Sequence, residues 1–144
     1  MRKPVFISVF LAAMSFSLFA PAALAKDLKP GTWEVTSSMT GKDLPERLKK
    51  EKTDSQCLPG SGKIDMAKTM REGWTNAGCP DINISREGNT ISAQAECSSH
   101  GRTSTVEAQI KIQSDERYTA TTITKNDGTT TLKQTGRWVS PDCQ

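Results

Sequence analysis

The sequence from Val106 to Ile112, Val-Glu-Ala-Gln-Ile-Lys-Ile, alternates apolar and polar residues without a break. Successive side chains of a β-strand point to opposite faces of its sheet, so this period of two predicts a strand with one buried and one solvated face. Sheets with one solvated face are typical of antiparallel architectures. The stretch therefore predicts a mainly antiparallel β fold.

The segments on both sides of this strand repeat the alternation and are separated by turn residues. Residues 82–97 form a hairpin pattern around Glu87-Gly88-Asn89, and Asn126-Asp127-Gly128 marks a second turn. A change of phase after Ala120 predicts a bulge near Thr121. With a further alternating segment at residues 32–39, the chain is expected to form about six antiparallel strands in a curved sheet or small open barrel.

The region after the first strand has helical rather than alternating patterns. Asp43 and Glu46 have the spacing of a capping box, which predicts a short helix, and a second apolar series recurs at helical spacing. The members of that series are Ile64, Ala67, Met70 and Trp74. We therefore expect one or two short helices between the first strand and the rest of the sheet.

The N-terminus has the three parts of a secretory signal. Arg2-Lys3 is basic, residues 5–19 form an apolar run shorter than the about 20 residues of a membrane span, and small residues end at Ala25. We predict a signal peptide at residues 1–25, cleaved near Ala25, and a single disulfide-linked β domain at residues 26–144 without a transmembrane segment. The expected location is periplasmic or secreted.

Export changes the charge balance and the expected state of the cysteines. Arg2 and Lys3 account for two of the three net positive charges, so nucleic acid is not an expected partner. All four cysteines follow the predicted signal, and an even number in an oxidising compartment predicts two disulfides.

Three pairings of the four cysteines are possible. The hairpin at residues 82–97 brings Cys79 close to Cys97, so we predict the pairs Cys79–Cys97 and Cys57–Cys143. A two-residue turn would offset Cys79 from Cys97 by one position, which requires a bulge or a longer turn. No close Cys or His pair has the spacing of a zinc site, so no metal site is predicted.

Four aromatic residues are spread over several predicted elements: Trp33, Trp74, Tyr118 and Trp138. One interpretation makes them core anchors, since aromatic side chains bury large areas in small domains. If the sheet stays open on that side, the same residues would line an apolar groove for a small hydrophobic ligand. Both interpretations remain open from the sequence.

A catalytic site is not expected. The sole histidine, His100, lies in the turn Ser98-Ser99-His100-Gly101, and adjacent turn residues rarely adopt the geometry of a nucleophile and its base. Neither a nucleophile elbow, nor a phosphate loop, nor a metalloprotease motif is present. We predict no catalytic residue, no enzymatic activity and no cofactor.

Four short motifs together resemble an exported bacterial family of the domain-of-unknown-function type, number three-six-one-seven. The motifs are Leu-Lys-Pro-Gly-Thr-Trp-Glu-Val at residues 28–35, Gln-Cys-Leu at 56–58, Arg-Glu-Gly-Asn-Thr at 86–90 and Thr-Gly-Arg-Trp at 135–138. The resemblance implies an export signal, a β-rich fold and cysteines kept as disulfides, and it implies no activity. The charged stretch at residues 42–54 departs from the family pattern.

These observations favour a non-enzymatic protein. The first expectation is a structural or interaction protein of the cell envelope with an unknown envelope protein as partner. The alternative is a periplasmic carrier that holds a small hydrophobic ligand on the concave face of the sheet. A hydrolase that uses His100 is a remote third hypothesis.

Overall fold

The computed structural model describes residues 26–143, and the predicted signal peptide at residues 1–25 lies outside the described residues. Seven antiparallel strands form one open sheet with two short helices, which confirms the mainly β fold class. The elements are β1 Gly31–Gly41, α1 Glu46–Lys49, β2 Lys52–Leu58, α2 Met66–Asn76, β3 Asn83–Glu87, β4 Thr90–Ser99, β5 Arg102–Ser114, β6 Arg117–Lys125 and β7 Thr129–Ser140.

The strand order is β2-β1-β7-β6-β5-β4-β3. Strands β3 to β7 form a meander in which each strand pairs with the next, and β1 joins it by pairing with β7. Trp33 pairs with Trp138 in this junction, and Val35 pairs with Gly136. Strands β2 and β3 therefore form the two edges of one continuous sheet.

Strand β2 was not predicted from the sequence. It pairs antiparallel with β1 at the sheet edge, but its side chains from Lys52 to Leu58 are mostly polar and exposed. An edge strand needs only backbone pairing on one side, and charged residues are common there because they discourage pairing with other chains. The strand consequently lacks the apolar alternation by which strands are recognised.

The two helices differ in how they begin. Asp65 caps α2 by accepting hydrogen bonds from the backbone N–H groups of Ala67 (2.9 Å) and Lys68 (3.3 Å), as expected for a helix in this position. Helix α1 follows Pro45 and has no side-chain cap. The predicted capping box of Asp43 and Glu46 is therefore wrong, because the helix begins at Glu46 itself.

The predicted bulge near Thr121 is also wrong. Pairing of β5 with β6 is regular from Thr105 to Ile112, and the register changes only between Ile112 and Ser114, at the hairpin end. Strand β6 keeps one phase throughout, and Ile123 points to the outer face, where it is half-buried. An apolar residue on the solvated face produced the apparent change of phase.

The core lies on the inner face of the sheet, which we define as the face carrying Trp33, Ile110 and Tyr118. Backbone hydrogen bonds between Leu28 and Ile64 (3.2 and 2.7 Å) hold the two segments that cover this face. Met66, Ala67 and Met70 of α2 pack against the same cluster. The N-terminal segment and α2 thus cover the part of the inner face that holds this cluster.

Candidate functional site

The aromatic residues that the sequence offered as ligand contacts lie at the centre of the core. Trp33 is fully buried and Tyr118 is 7% exposed. Their ring centroids are 5.5 Å apart with the planes inclined by 46°, a common geometry for aromatic pairs. Gly136 lies between them on β7, and a Cβ there would fall inside the Tyr118 ring. Because Gly136 has no side chain, the Tyr118 ring can reach Trp33.

Trp138 lies at the rim of this cluster and is half-buried. Its indole N–H donates to the carbonyl oxygen of Pro30 (3.0 Å), and the Trp33 indole N–H donates to that of Lys29 (3.0 Å). The Lys29 ammonium lies 5.0 Å from the Trp138 ring centroid and pairs with Glu116, which raises the pKa of Lys29. These contacts fix both indoles in place and leave them little freedom to accommodate a ligand.

Trp74 does not join the other three aromatic residues. It lies near the end of α2, half-buried, and is not part of the core cluster that α2 contacts through Met66 and Met70. The structure thus brings together Trp33, Tyr118 and Trp138 but leaves Trp74 apart. A pocket walled by all four residues is not formed.

The cysteines form the pairs Cys79–Cys97 and Cys57–Cys143, with Cα atoms 4.1 and 5.3 Å apart. Neither a bulge nor a longer turn is needed for the first pair. Strand β3 begins only at Asn83, so Cys79 lies in the connection after α2 and is not bound by the hairpin register. The second pair ties edge strand β2 to the segment after β7.

His100 lies in an exposed turn and has a positive φ of 52°. Its Nδ1 is 2.8 Å from the hydroxyl oxygen of Ser99, so the two neighbours do meet, contrary to the expectation from the sequence. Among the hydrogen bonds of the described residues, His100 has no carboxylate partner that would orient the ring, and Ser99 is exposed as well. The pair lacks the third group and the enclosed setting that acyl transfer requires.

Two further observations concern metals and membranes. Nowhere between residues 26 and 143 do three His, Cys, Asp or Glu side chains form a group that could hold a metal ion. The part of the chain that the structure describes contains no helix long and apolar enough to cross a membrane. Met66 and Met70 of α2 pack against the core.

Two depressions of the surface differ in chemistry. One has a volume of about 530 Å³ and lies on the outer face across β3 to β6, with a lining rich in amides and hydroxyls. The residues that give this character are Asn83, Ser85, Ser92, Gln94, Glu107 and Gln109. The other, of about 250 Å³, lies between α1 and the sheet; Met39, Leu48 and Leu132 line it together with basic side chains.

The second depression was not predicted from the sequence because two of its determinants have no local pattern. Lys52 belongs to β2, and Met39 and Leu132 pair across β1 and β7, far apart in sequence. The usable signals were the continued alternation of β1 to Met39 and the basic residues around Leu48. Only the pairing of the first and last strands brings these signals together.

The fold and its two disulfides define a class of small antiparallel β proteins with a filled aromatic core. A family model described as "Protein of unknown function (DUF3617)" matches residues 28–143, and the chain belongs to this family. The resemblance indicated by the four sequence motifs is confirmed. No curated protein and no solved structure shows a significant match to the chain.

Proposed function

We propose that the protein is an exported, non-catalytic component of the bacterial cell envelope that acts by contacting another macromolecule. Export is supported by the signal features of residues 1–25 and by the two disulfides, since disulfides persist in oxidising compartments. Absence of catalysis is supported by the exposed setting of His100.

The observation that carries this proposal is the burial of the aromatic core. Trp33 is fully buried, and Tyr118 is 7% exposed and packed on Gly136, so neither offers a free face to a ligand. A carrier normally encloses most of its ligand in a concave, largely preformed pocket. Because these side chains fill the space they surround, we assign binding to the outer surface of the molecule.

The outer face of β3 to β6 is the part of that surface we assign to the partner. Alternation places Ser92 and Gln94 of β4 opposite to the buried Ile91 and Ala93, so amides and hydroxyls face outward here. Such groups form directional hydrogen bonds with a polar partner, and Ile123 adds apolar surface beside them. The contact is therefore expected to combine hydrogen bonds with a small apolar patch.

Site-specific photo-cross-linking tests this assignment in cells that express the complete chain. A photoreactive residue at Gln109, in the outer depression, is expected to give a discrete adduct, and the matched control at Lys68, exposed on α2, is expected to give none. Equal adducts at both positions, or none at Gln109, would contradict the partner-binding function.

Export is tested separately on protein recovered from its native compartment. The intact mass should correspond to cleavage after Ala25, and thiol titration should detect no free cysteine. An uncleaved chain, or free thiols at Cys79 and Cys97, would contradict an exported, oxidised protein.

The carrier hypothesis has a second, independent basis. The aromatic residues proposed for it are buried, but the depression of about 250 Å³ beside α1 has an apolar floor that is open to solvent. Native mass spectrometry of gently purified protein is the direct measurement: a retained hydrophobic molecule of defined mass would favour a carrier over a partner-binding protein.

A further inference from the structure

The inner face of the sheet is filled beside Trp33 and Val35 but is open further along β1 and β7. Along β1, Trp33 and Val35 are buried, whereas Ser37 and Met39, further along the same face, are only half-buried. Helix α2 and the N-terminal segment pack against the core cluster that contains Trp33 and Val35. The four-residue helix α1 lies beside this part of β1, and it buries none of its own residues.

An apolar groove lies under α1 in this open part. Met39 of β1 pairs directly with Leu132 of β7, and the two side chains form the floor. Leu48 of α1 forms the wall and is 43% exposed, one of two large apolar side chains in the described chain with so much exposure. The groove of Met39, Leu48 and Leu132 therefore presents apolar surface that this chain does not cover.

The rim of the groove is basic. Arg47, Lys50 and Lys52 line it, and no carboxylate does. Lys52 is paired with Asp54 at 2.8 Å, but Arg47 and Lys50 form no salt bridge with any residue in the described range. Lys49, on the same helix, is held by Glu46 at 2.6 Å and does not line the groove. Two unpaired cations thus stand beside the apolar floor.

We propose that this groove binds a free single-chain anionic amphiphile of the fatty-acid class. The acyl chain lies over Met39 and Leu132 against Leu48, and the carboxylate accepts hydrogen bonds from Arg47 and Lys50. A guanidinium pairs with a carboxylate through two parallel hydrogen bonds, which also fixes the orientation of the chain. This inference rests on the carrier alternative and moves its site away from the aromatic core.

The dimensions of the groove favour one acyl chain over a two-chain lipid. Pockets for drug-sized ligands occupy roughly 300–1,000 Å³. The groove has about 250 Å³, so it holds part of a single chain and leaves the remainder in solvent. Recognition therefore depends on the charged head group as much as on the tail.

Methionine methyl NMR tests the proposal on the oxidised protein. Met39 lies in the groove, whereas Met66 and Met70 pack against the core and serve as internal references. Decanoate below its micellar concentration is expected to shift the Met39 methyl signal, assigned by its loss in Met39→Leu, and to leave the two reference signals in place. Decanol is expected to bind several-fold more weakly, and decyltrimethylammonium not to bind.

Charge variants connect this binding to the named cations. The double variant Arg47→Gln/Lys50→Gln removes two solvent-exposed charge pairs between the protein and the decanoate carboxylate. It is expected to weaken decanoate binding about five- to tenfold. Lys133→Gln is the control: it removes one positive charge, against two in the double variant, from β7 beside Leu132 but on the opposite face of the sheet. Leu48→Ser should weaken decanoate and decanol alike, because it removes the apolar wall and leaves the rim intact.

Three results would overturn the proposal. The first is equal binding of decanoate and decanol, and the second is an equal loss of affinity in Lys133→Gln and the double variant. The third is a Met39 shift that appears with anionic vesicles or with rising protein concentration but not with decanoate, since a membrane or a second copy would then occupy the groove. None of these measurements involves the cross-linking position Gln109, so failure here is distinguishable from failure of the partner-binding function.

Discussion

Replacement of Gly136 by alanine is expected to destabilise the protein by about 3 kcal/mol, although an ordinary strand position favours alanine over glycine. In an unconstrained strand, alanine is better than glycine by roughly 0.5–1 kcal/mol because glycine loses more backbone freedom on folding. Here the added Cβ would overlap the ring of Tyr118. A loss of stability in Gly136→Ala would therefore show that the contact with Tyr118 governs this position. A gain would show that the ordinary preference of a strand does.

The magnitude follows from what Tyr118 would lose. If the ring shifted slightly and the core absorbed the methyl group, overpacking would cost about 1–3 kcal/mol. If the ring left its site, the cost would approach that of deleting a buried aromatic side chain, which is about 3–5 kcal/mol. The overlap is deep, and the ring is held between Gly136 and Trp33, so we expect a value where the two ranges meet.

Urea denaturation followed by tryptophan fluorescence, with both disulfides intact, measures this change. Gly73→Ala is the matched control, because a Cβ at that helical position meets nothing within 4 Å and should stabilise by about 0.5–1 kcal/mol. In a Tyr118→Ala background, Gly136→Ala should cost less than about 1 kcal/mol. Equal costs of Gly136→Ala with and without the Tyr118 ring would refute the reasoning.

Three further predictions concern bonds, a cap and pH. Cys79→Ser should destabilise by about 3 kcal/mol for a loop of this length, and adding Cys97→Ser should cost little more, as denaturation of the single and double variants will measure. Asp65→Ala should remove the α2 cap and cost about 1 kcal/mol in the same assay. Burial raises the pKa of Tyr118, so the folded chain keeps a proton that the unfolded chain loses near pH 10, and stability should fall as pH rises above about 10. Tyr118→Phe should abolish this part of the pH dependence, because the chain has no other tyrosine.

Much of the sheet could be predicted because its strands alternate on a face that must be buried. Val106 to Ile112 is the clearest case, and the same period placed β1 and the β3–β4 hairpin correctly. Strand β2 escaped prediction because backbone pairing with β1, rather than apolar side chains, holds it in place. Ile123 led to the wrong prediction of a bulge in β6 for the converse reason, since it is apolar but faces outward.

The candidate sites were harder to predict because they depend on which strands become neighbours. Four aromatic residues allowed a filled core or an open groove, and the choice was decided by Gly136, whose missing side chain lets Tyr118 pack onto Trp33. The groove at Met39 and Leu132 depends on pairing of the first and last strands. Neither arrangement can be recognised from the spacing of apolar residues, because that spacing indicates which residues are buried and not which distant strands pair.

Stability and binding are assigned to separate parts of the chain, which allows each to be changed alone. Helix α1 has no buried residue, so Arg47 and Leu48 can be replaced without a cavity forming in the core. Gly136, by contrast, lies within the core packing that the fold requires. A variant of α1 that loses decanoate binding should therefore keep the unfolding free energy of the unmodified protein, and a loss of both would mean that α1 supports the fold after all.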